Sequence, residues 1–167
     1  GNQGPGRVDF RFFTQGNLLA ILFDLATPQE SQGIMNLFEL HWDKLMGEMP
    51  LKIVYPAITD KEWLLSTGSD PKNVAWSYHN GGNWPVLLWP FVGAALRTGR
   101  HAMAERALQL VGERIEVDVW PEYYDGKRGG LIGRRANFYQ VWSATGYLVA
   151  HEILHNPDSR ALFDNCT

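Results

Sequence analysis

Hydrophobic positions along this chain alternate between two kinds of segment. Residues 15–26 are apolar on nearly every face, the pattern of a helix buried all round, with Thr14 offering an N-cap. Thr27–Pro28 stops that run and starts another, since Pro28 suits a first helical position and Glu30 a first turn. Over 28–47 the apolar residues Ile34, Leu37, Phe38, Trp42 and Leu45 keep to one stripe, which predicts a surface helix. Residues 48–80, broken by Pro50, Pro56, Gly68 and Pro71, predict irregular chain in which Leu51–Tyr55 is at most a short strand. A third helix, apolar all round, is expected to reach about Thr98 with a kink at Pro90. Gly99–Arg100 stops it, and 101–118 reads as amphipathic, with Met103, Ala107, Leu110, Val111 and Ile115 set against charged positions. A fifth helix is expected over 137–155, with Pro157 just beyond it.

Buried helix, short turn, amphipathic helix and long loop therefore repeat. The turns at Thr27–Pro28 and Gly99–Arg100 allow only antiparallel neighbours, so all the long loops should emerge at one end of the assembly. Inner helices, outer helices and one loop-bearing rim describe an all-α toroid. Five helices do not close an (α/α)6 ring, so the expectation is the C-terminal part of one, with 1–167 as the later portion of a single domain.

Composition narrows the function. A net charge of −3 favours neither nucleic acid nor an anionic membrane surface. The longest strongly apolar run, Val86–Leu96, is about half the length of a membrane span. The single cysteine, Cys166, excludes an internal disulfide framework and suits a reducing, cytoplasmic setting. The opening Gly1–Gly6 carries no signal-peptide pattern and suggests a chain cut within a loop. Seven tryptophans among 13% aromatic residues point to carbohydrate or to a heavily aromatic core.

Chemistry gathers on the expected loops. Trp120–Gly126 sets Glu122 and Asp125 among Trp120, Tyr123 and Tyr124, with Pro121 and Gly126 keeping the segment out of a helix. Aromatic planes stack on sugar rings, and a carboxyl against an apolar wall suits acid–base work; a solvated acidic turn is the plain alternative. Tyr78, His79, Asn80 and Trp84 surround Gly81–Gly82, which reads either as donors and a stacking face for sugar hydroxyls or as a packed turn with a satisfied histidine. Asp9 and Arg11 fit a substrate clamp or a structural pair, and Tyr139 and Gln140 fall in the first turn of the fifth helix, towards the same rim. Ser77 and Thr14 lack a nucleophile elbow. His151-Glu152-Ile153-Leu154-His155 has the spacing of a zinc-hydrolase motif, but no third ligand follows and the helix end lies at the opposite rim.

Several of these runs occur together elsewhere. Val8–Thr14, Met49–Ile53, Gly68–Asn73, Trp76–Gly82, Trp120–Asp125 and Tyr139–Ser143, in this order, resemble the C-terminal portion of the alkaline/neutral invertases, glycoside hydrolase family 100. The resemblance implies an (α/α)6 toroid that hydrolyses sucrose to glucose and fructose with inversion, using no metal or cofactor. It further implies that Glu122 is the base that activates water, while the general acid is an aspartate from an upstream segment of the same enzyme. Asp9, Arg11, Tyr78, His79, Asn80, Trp84, Trp120, Tyr123, Asp125, Tyr139 and Gln140 are then the expected substrate contacts. A homo-oligomer is compatible with all of this. A non-catalytic carbohydrate-binding or scaffolding α/α domain is the competing expectation.

Overall fold

The computed structural model describes residues 8–164; the Gly1–Gly6 lead and Cys166, which carry two of the expectations above, lie outside that range. The first apolar run forms α1 (Thr14–Leu22), which ends early as the chain passes through Asp24 at φ 53°. Thr14 is the first helical residue and caps nothing. Its hydroxyl donates instead to the Lys52 carbonyl, tying α1 to the loop ahead. Thr27 does cap. It accepts from the Glu30 N–H at 3.2 Å while the Glu30 carboxylate takes the Thr27 N–H at 2.8 Å, a capping box that opens α2 (Pro28–Leu40).

The expected long surface helix breaks at His41 and resumes for one turn as α3 (Trp42–Leu45). Its buried stripe is Ser31, Met35, Phe38, Trp42 and Leu45, whereas Leu37, expected inside, is 41% exposed. The irregular section holds one short helix the sequence did not suggest, α4 (Glu62–Ser66). The short strand does form: β1 (Phe12–Phe13) pairs antiparallel with β2 (Val54–Tyr55), Phe12 opposite Tyr55.

A 3₁₀ turn over Pro85–Leu87 leads into α5 (Leu88–Arg97). Pro90 sits in the first turn, where its missing N–H has no helical acceptor to lose, so it helps open the helix instead of kinking it. The amphipathic helix is α6 (His101–Gly112), which gives way to turns before residue 118. The last long helix is α7 (Val141–His155), followed by α8 (Pro157–Asp164), also unforeseen.

The predicted inner helices are neighbours. α5 lies against both α1 and α7, with α2 packed on α1, α6 on α5 and α7, and α8 on α7. Residues 90–95 of α5 are buried throughout, and Phe91 meets Phe38 and Trp42 edge-on at 5.2 and 6.3 Å. Gly146 lets α7 approach the backbone before α5; a Cβ there would stand 2.9 Å from the Val86 Cα. The expectation of burial all round holds for α5 alone. α1 and α7 each have a helix of the row on one flank only, so Val141 and Leu148 of α7 are 78% and 62% exposed.

The loops meet at the N-terminal ends of α1, α5 and α7. Backbone bonds join Thr14 to Ile53, Ile53 to Gly82, Trp84 to Leu51, and Asn83 to Tyr124 in both directions. Segments far apart in sequence thus lie side by side, as the loop topology predicted.

Candidate active site

Glu122 sits on a backbone held from two sides. Its N–H donates to the Asn137 carbonyl at 2.7 Å, and the Pro121 carbonyl accepts from the Ser143 hydroxyl of α7 at 2.8 Å. Two residues on, Tyr124 exchanges both backbone bonds with Asn83. Val119 and Trp120 enter the segment in left-handed conformation, φ 63° and 53°, and their carbonyls accept the N–H groups of Tyr139 and Gln140. Gly126 completes the turn. Its N–H donates to the Trp76 carbonyl, and a Cβ at this position would fall 1.7 Å from the Gly81 oxygen. Only glycine fits there.

The Glu122 side chain is 7% exposed, and its two oxygens differ. Oε2 accepts from Lys72 Nζ at 3.3 Å and from both the N–H and the Nδ2 of Asn137 at 3.2 Å. Among the described residues Oε1 accepts no hydrogen bond, and it is not a fully buried atom. One oxygen is anchored and the other is not.

Aromatic rings wall this carboxylate. Trp84, buried, stacks on His79 at 5.0 Å and on Tyr123 at 5.4 Å, and Trp142 meets it edge-on at 5.7 Å. Tyr78 lies 5.4 Å from Tyr123 and carries the Lys72 ammonium 4.0 Å above its face. His79 keeps part of its surface in solvent, but its stacked face is covered. Burial lowers its pKa from the ordinary imidazole value, outweighing the opposing pull of the nearby Glu122 charge. The Tyr123 hydroxyl donates to the Arg134 carbonyl and shares a 3.2 Å hydrogen bond with Ser77; burial raises its pKa.

The remaining expected contacts separate from this group. The Asn80 amide is engaged by the backbone of Ile58 and Asn73, so it holds the loop. Asp125 accepts the N–H groups of Lys127, Arg128 and Leu131 and organises the turn after Glu122. Asp9 and Arg11 form a local ion pair at 2.6 Å beside β1. Trp120 packs edge-on to Tyr147 at 6.2 Å. Tyr139 and Gln140 precede α7 and do not belong to its first turn, because Tyr139 adopts φ 56°. Both line an open cleft of about 570 Å³, with Val86 and Trp89 opposite and Trp142 joining it to the aromatic wall.

Lys72, Asn137 and Trp142 are the site residues that sequence reasoning did not single out. Lys72 and Trp142 stand inside runs already noted, Gly68–Asn73 and Tyr139–Ser143, but nothing local shows that they approach Glu122. His151 and His155 sit at the far end of α7; Glu152 accepts from Asn156 and Ser159, and no cluster of metal-binding side chains occurs among the described residues.

Beneath the site lies a buried lysine. Lys52 is 1% exposed and donates to Asn83 Oδ1 at 3.0 Å and to the Gly126 carbonyl, while Asn83 Nδ2 reaches the Met46 and Met49 carbonyls. Burial pushes its pKa from 10.5 down to about 8 against the opposing pull of Asp125. The unfolded chain therefore binds more protons than the folded one between about pH 8 and 10.5, and stability from this group rises with pH across that window. Thermal unfolding should show the native protein gaining on a Lys52→Met variant between pH 7.5 and 9.5, by roughly 1–2 kcal/mol. A difference independent of pH would contradict this.

Comparison with known proteins places the chain in a family. Residues 1–157 match the family model described as alkaline and neutral invertase. The chain is 55% identical over 157 residues to Alkaline/neutral invertase CINV2 of Arabidopsis thaliana, covering 94% of this chain and 28% of that protein. Cytosolic invertase 1 of Oryza sativa subsp. japonica matches at 55%, with the same coverage. Probable alkaline/neutral invertase A, chloroplastic, of Arabidopsis thaliana is 51% identical over 95% of this chain and 25% of its own length. The chain thus spans between a quarter and a third of the curated relatives it matches. On the strength of these matches over nearly its whole length, the chain belongs to the alkaline and neutral invertase family.

Proposed function

We propose that this chain supplies the general base, Glu122, to an enzyme that hydrolyses sucrose to glucose and fructose with inversion. The observation that carries the reading is the asymmetry of the Glu122 carboxylate: three donors on Oε2, and none on Oε1, which is not fully buried. Oε1 takes the proton of a water that attacks the anomeric carbon. A protonated carboxyl on the far side of the sugar gives its proton to the departing oxygen. Inversion needs the two carboxyls roughly 6.5–9.5 Å apart, so that water fits between base and sugar.

The acid is an aspartate from an upstream segment of the polypeptide, across an (α/α)6 ring. The row α1–α5–α7 forms part of that ring's inner wall, and the exposed apolar side of α7 is where further helices pack. Trp84 and Tyr123 lie behind Glu122, while His79, Trp142, Tyr139 and Gln140 line the way towards the cleft and contact sugar. The chemistry requires no metal or cofactor. The site operates in the cytosol, the compartment named for the rice relative, although other relatives are named as chloroplastic. No helix among the described residues is long and apolar enough to cross a membrane.

The test is product analysis of the whole polypeptide with sucrose, followed by NMR at early times. Glucose should appear together with fructose first formed as the α-furanose anomer. First formation of the β-anomer would overturn inversion, and sugar binding without turnover would favour a binding module.

A further inference from the structure

We infer that Lys72 is a positioning residue for Glu122, clamping Oε2 so that Oε1 alone faces the reacting water. The inference rests on Glu122 being the base. A glutamate carboxyl has a broad, roughly two-fold terminal torsion, so an unrestrained one presents either oxygen in any of a range of planes. Here the torsion is gripped by donors from two separate segments. Asn137 supplies two donors from its own backbone and amide, and Lys72 supplies the third from a segment 50 residues away.

Lys72 is itself held at both ends. Its backbone N–H donates to the capping Asp70 Oδ1 at 2.8 Å, in the 3₁₀ turn Pro71–Asn73. The neighbouring Asn73 binds that turn to the aromatic loop, accepting the His79 N–H at 3.1 Å on Oδ1 and the Asn80 amide on its carbonyl. At the other end Nζ lies 4.0 Å above the Tyr78 ring and 5.6 Å from the centre of Tyr123. The aromatic faces hold the ammonium by cation–π attraction. With its side chain 18% exposed, Lys72 does not behave as a freely moving surface cation. One residue therefore links the aromatic wall to the orientation of the base.

Displacing a reacting group by about 1 Å can cost about 10²-fold in rate. In the whole polypeptide, Lys72→Met should lower kcat for sucrose by roughly 10- to 100-fold. KM should stay within about two-fold, since the aromatic wall and cleft are untouched. Lys72→Arg should retain a substantial part of kcat, because a guanidinium also stacks on a tyrosine face and donates to a carboxylate. Titrating n-propylammonium into Lys72→Ala should restore part of the lost turnover, a response that a purely structural lysine does not produce. Three results overturn the inference: turnover of Lys72→Met within two-fold of the native protein, kcat and melting temperature falling together without rescue by Arg, or no response to the amine. Failure of the underlying reading looks different, for then Glu122→Gln itself retains turnover whatever is done at Lys72.

Discussion

Glu122→Gln in the whole polypeptide is expected to reduce kcat for sucrose by about 10²–10⁴-fold, the usual range for removing a general base, with KM and melting temperature close to native. Glutamine has nearly the same shape. Its carbonyl oxygen can occupy the position of Oε2 and accept from Lys72 and both Asn137 donors, leaving the amide nitrogen at the position of Oε1. The anchoring survives and the proton acceptor is lost. Steady-state kinetics on sucrose with a parallel melt measures both halves. A variant with near-native turnover removes Glu122 from the reaction; one that fails to fold makes the carboxylate a structural group instead.

The second large effect is on assembly of the site. Gly126→Ala should destabilise the protein by about 3 kcal/mol or more, at the upper end for an overpacked position, and should abolish turnover. The added Cβ would meet the Gly81 oxygen at 1.7 Å and the Trp76 oxygen at 3.0 Å, and backbone cannot swing aside as a side chain can. Relief requires the Glu122 turn to lift from the Trp76–Gly82 loop, which breaks the bond from Gly126 N–H to Trp76 and the one from Lys52 to the Gly126 carbonyl. Gly16→Ala is the matched control. No atom lies within 4 Å of its added Cβ, so alanine in α1 should be neutral or stabilising by up to about 1 kcal/mol. Thermal or denaturant unfolding reads the contrast. A native-like Gly126→Ala variant would mean that the two loops are not locked together.

Much of the architecture was legible in the chain because helices declare themselves locally. Thr27, Pro28 and Glu30 carry a capping box in adjacent residues, and it forms. What misled were features whose outcome depends on distant partners. Thr14 has the chemistry of a cap, but Lys52 supplies a carbonyl that its hydroxyl takes instead. Pro90 reads as a kink only if the helix has begun well before it, and the 3₁₀ turn at Pro85–Leu87 delays that start. Leu37 belongs to an apolar stripe by spacing, but the side of α2 facing the core is set by Met35 and Phe38 meeting α1 and Phe91.

The candidate site divides in the same way. Residue types and their order marked Glu122, Tyr78, His79, Trp84 and Tyr123, and the structure gathers them around one carboxylate and its wall. The same reasoning marked Asn80 and Asp125, whose polar atoms are taken up by nearby backbone. A polar side chain in a glycine-rich loop serves a ligand or its own turn, and only the hydrogen-bond partners distinguish the two.

By itself, then, the sequence determined an alternation of helices with long loops gathered at one end, the identity of the acidic aromatic segment, and the family to which the chain belongs. The tertiary structure decided which oxygen of Glu122 is anchored, that Lys72 and Asn137 anchor it, and that Lys52 lies buried beneath the turn. The reason is distance along the chain. Helix periodicity and capping act between residues three or four apart, whereas Lys72 lies 50 residues from Glu122 and Lys52 lies 74 from Gly126, and no local pattern encodes which distant donor meets which acceptor.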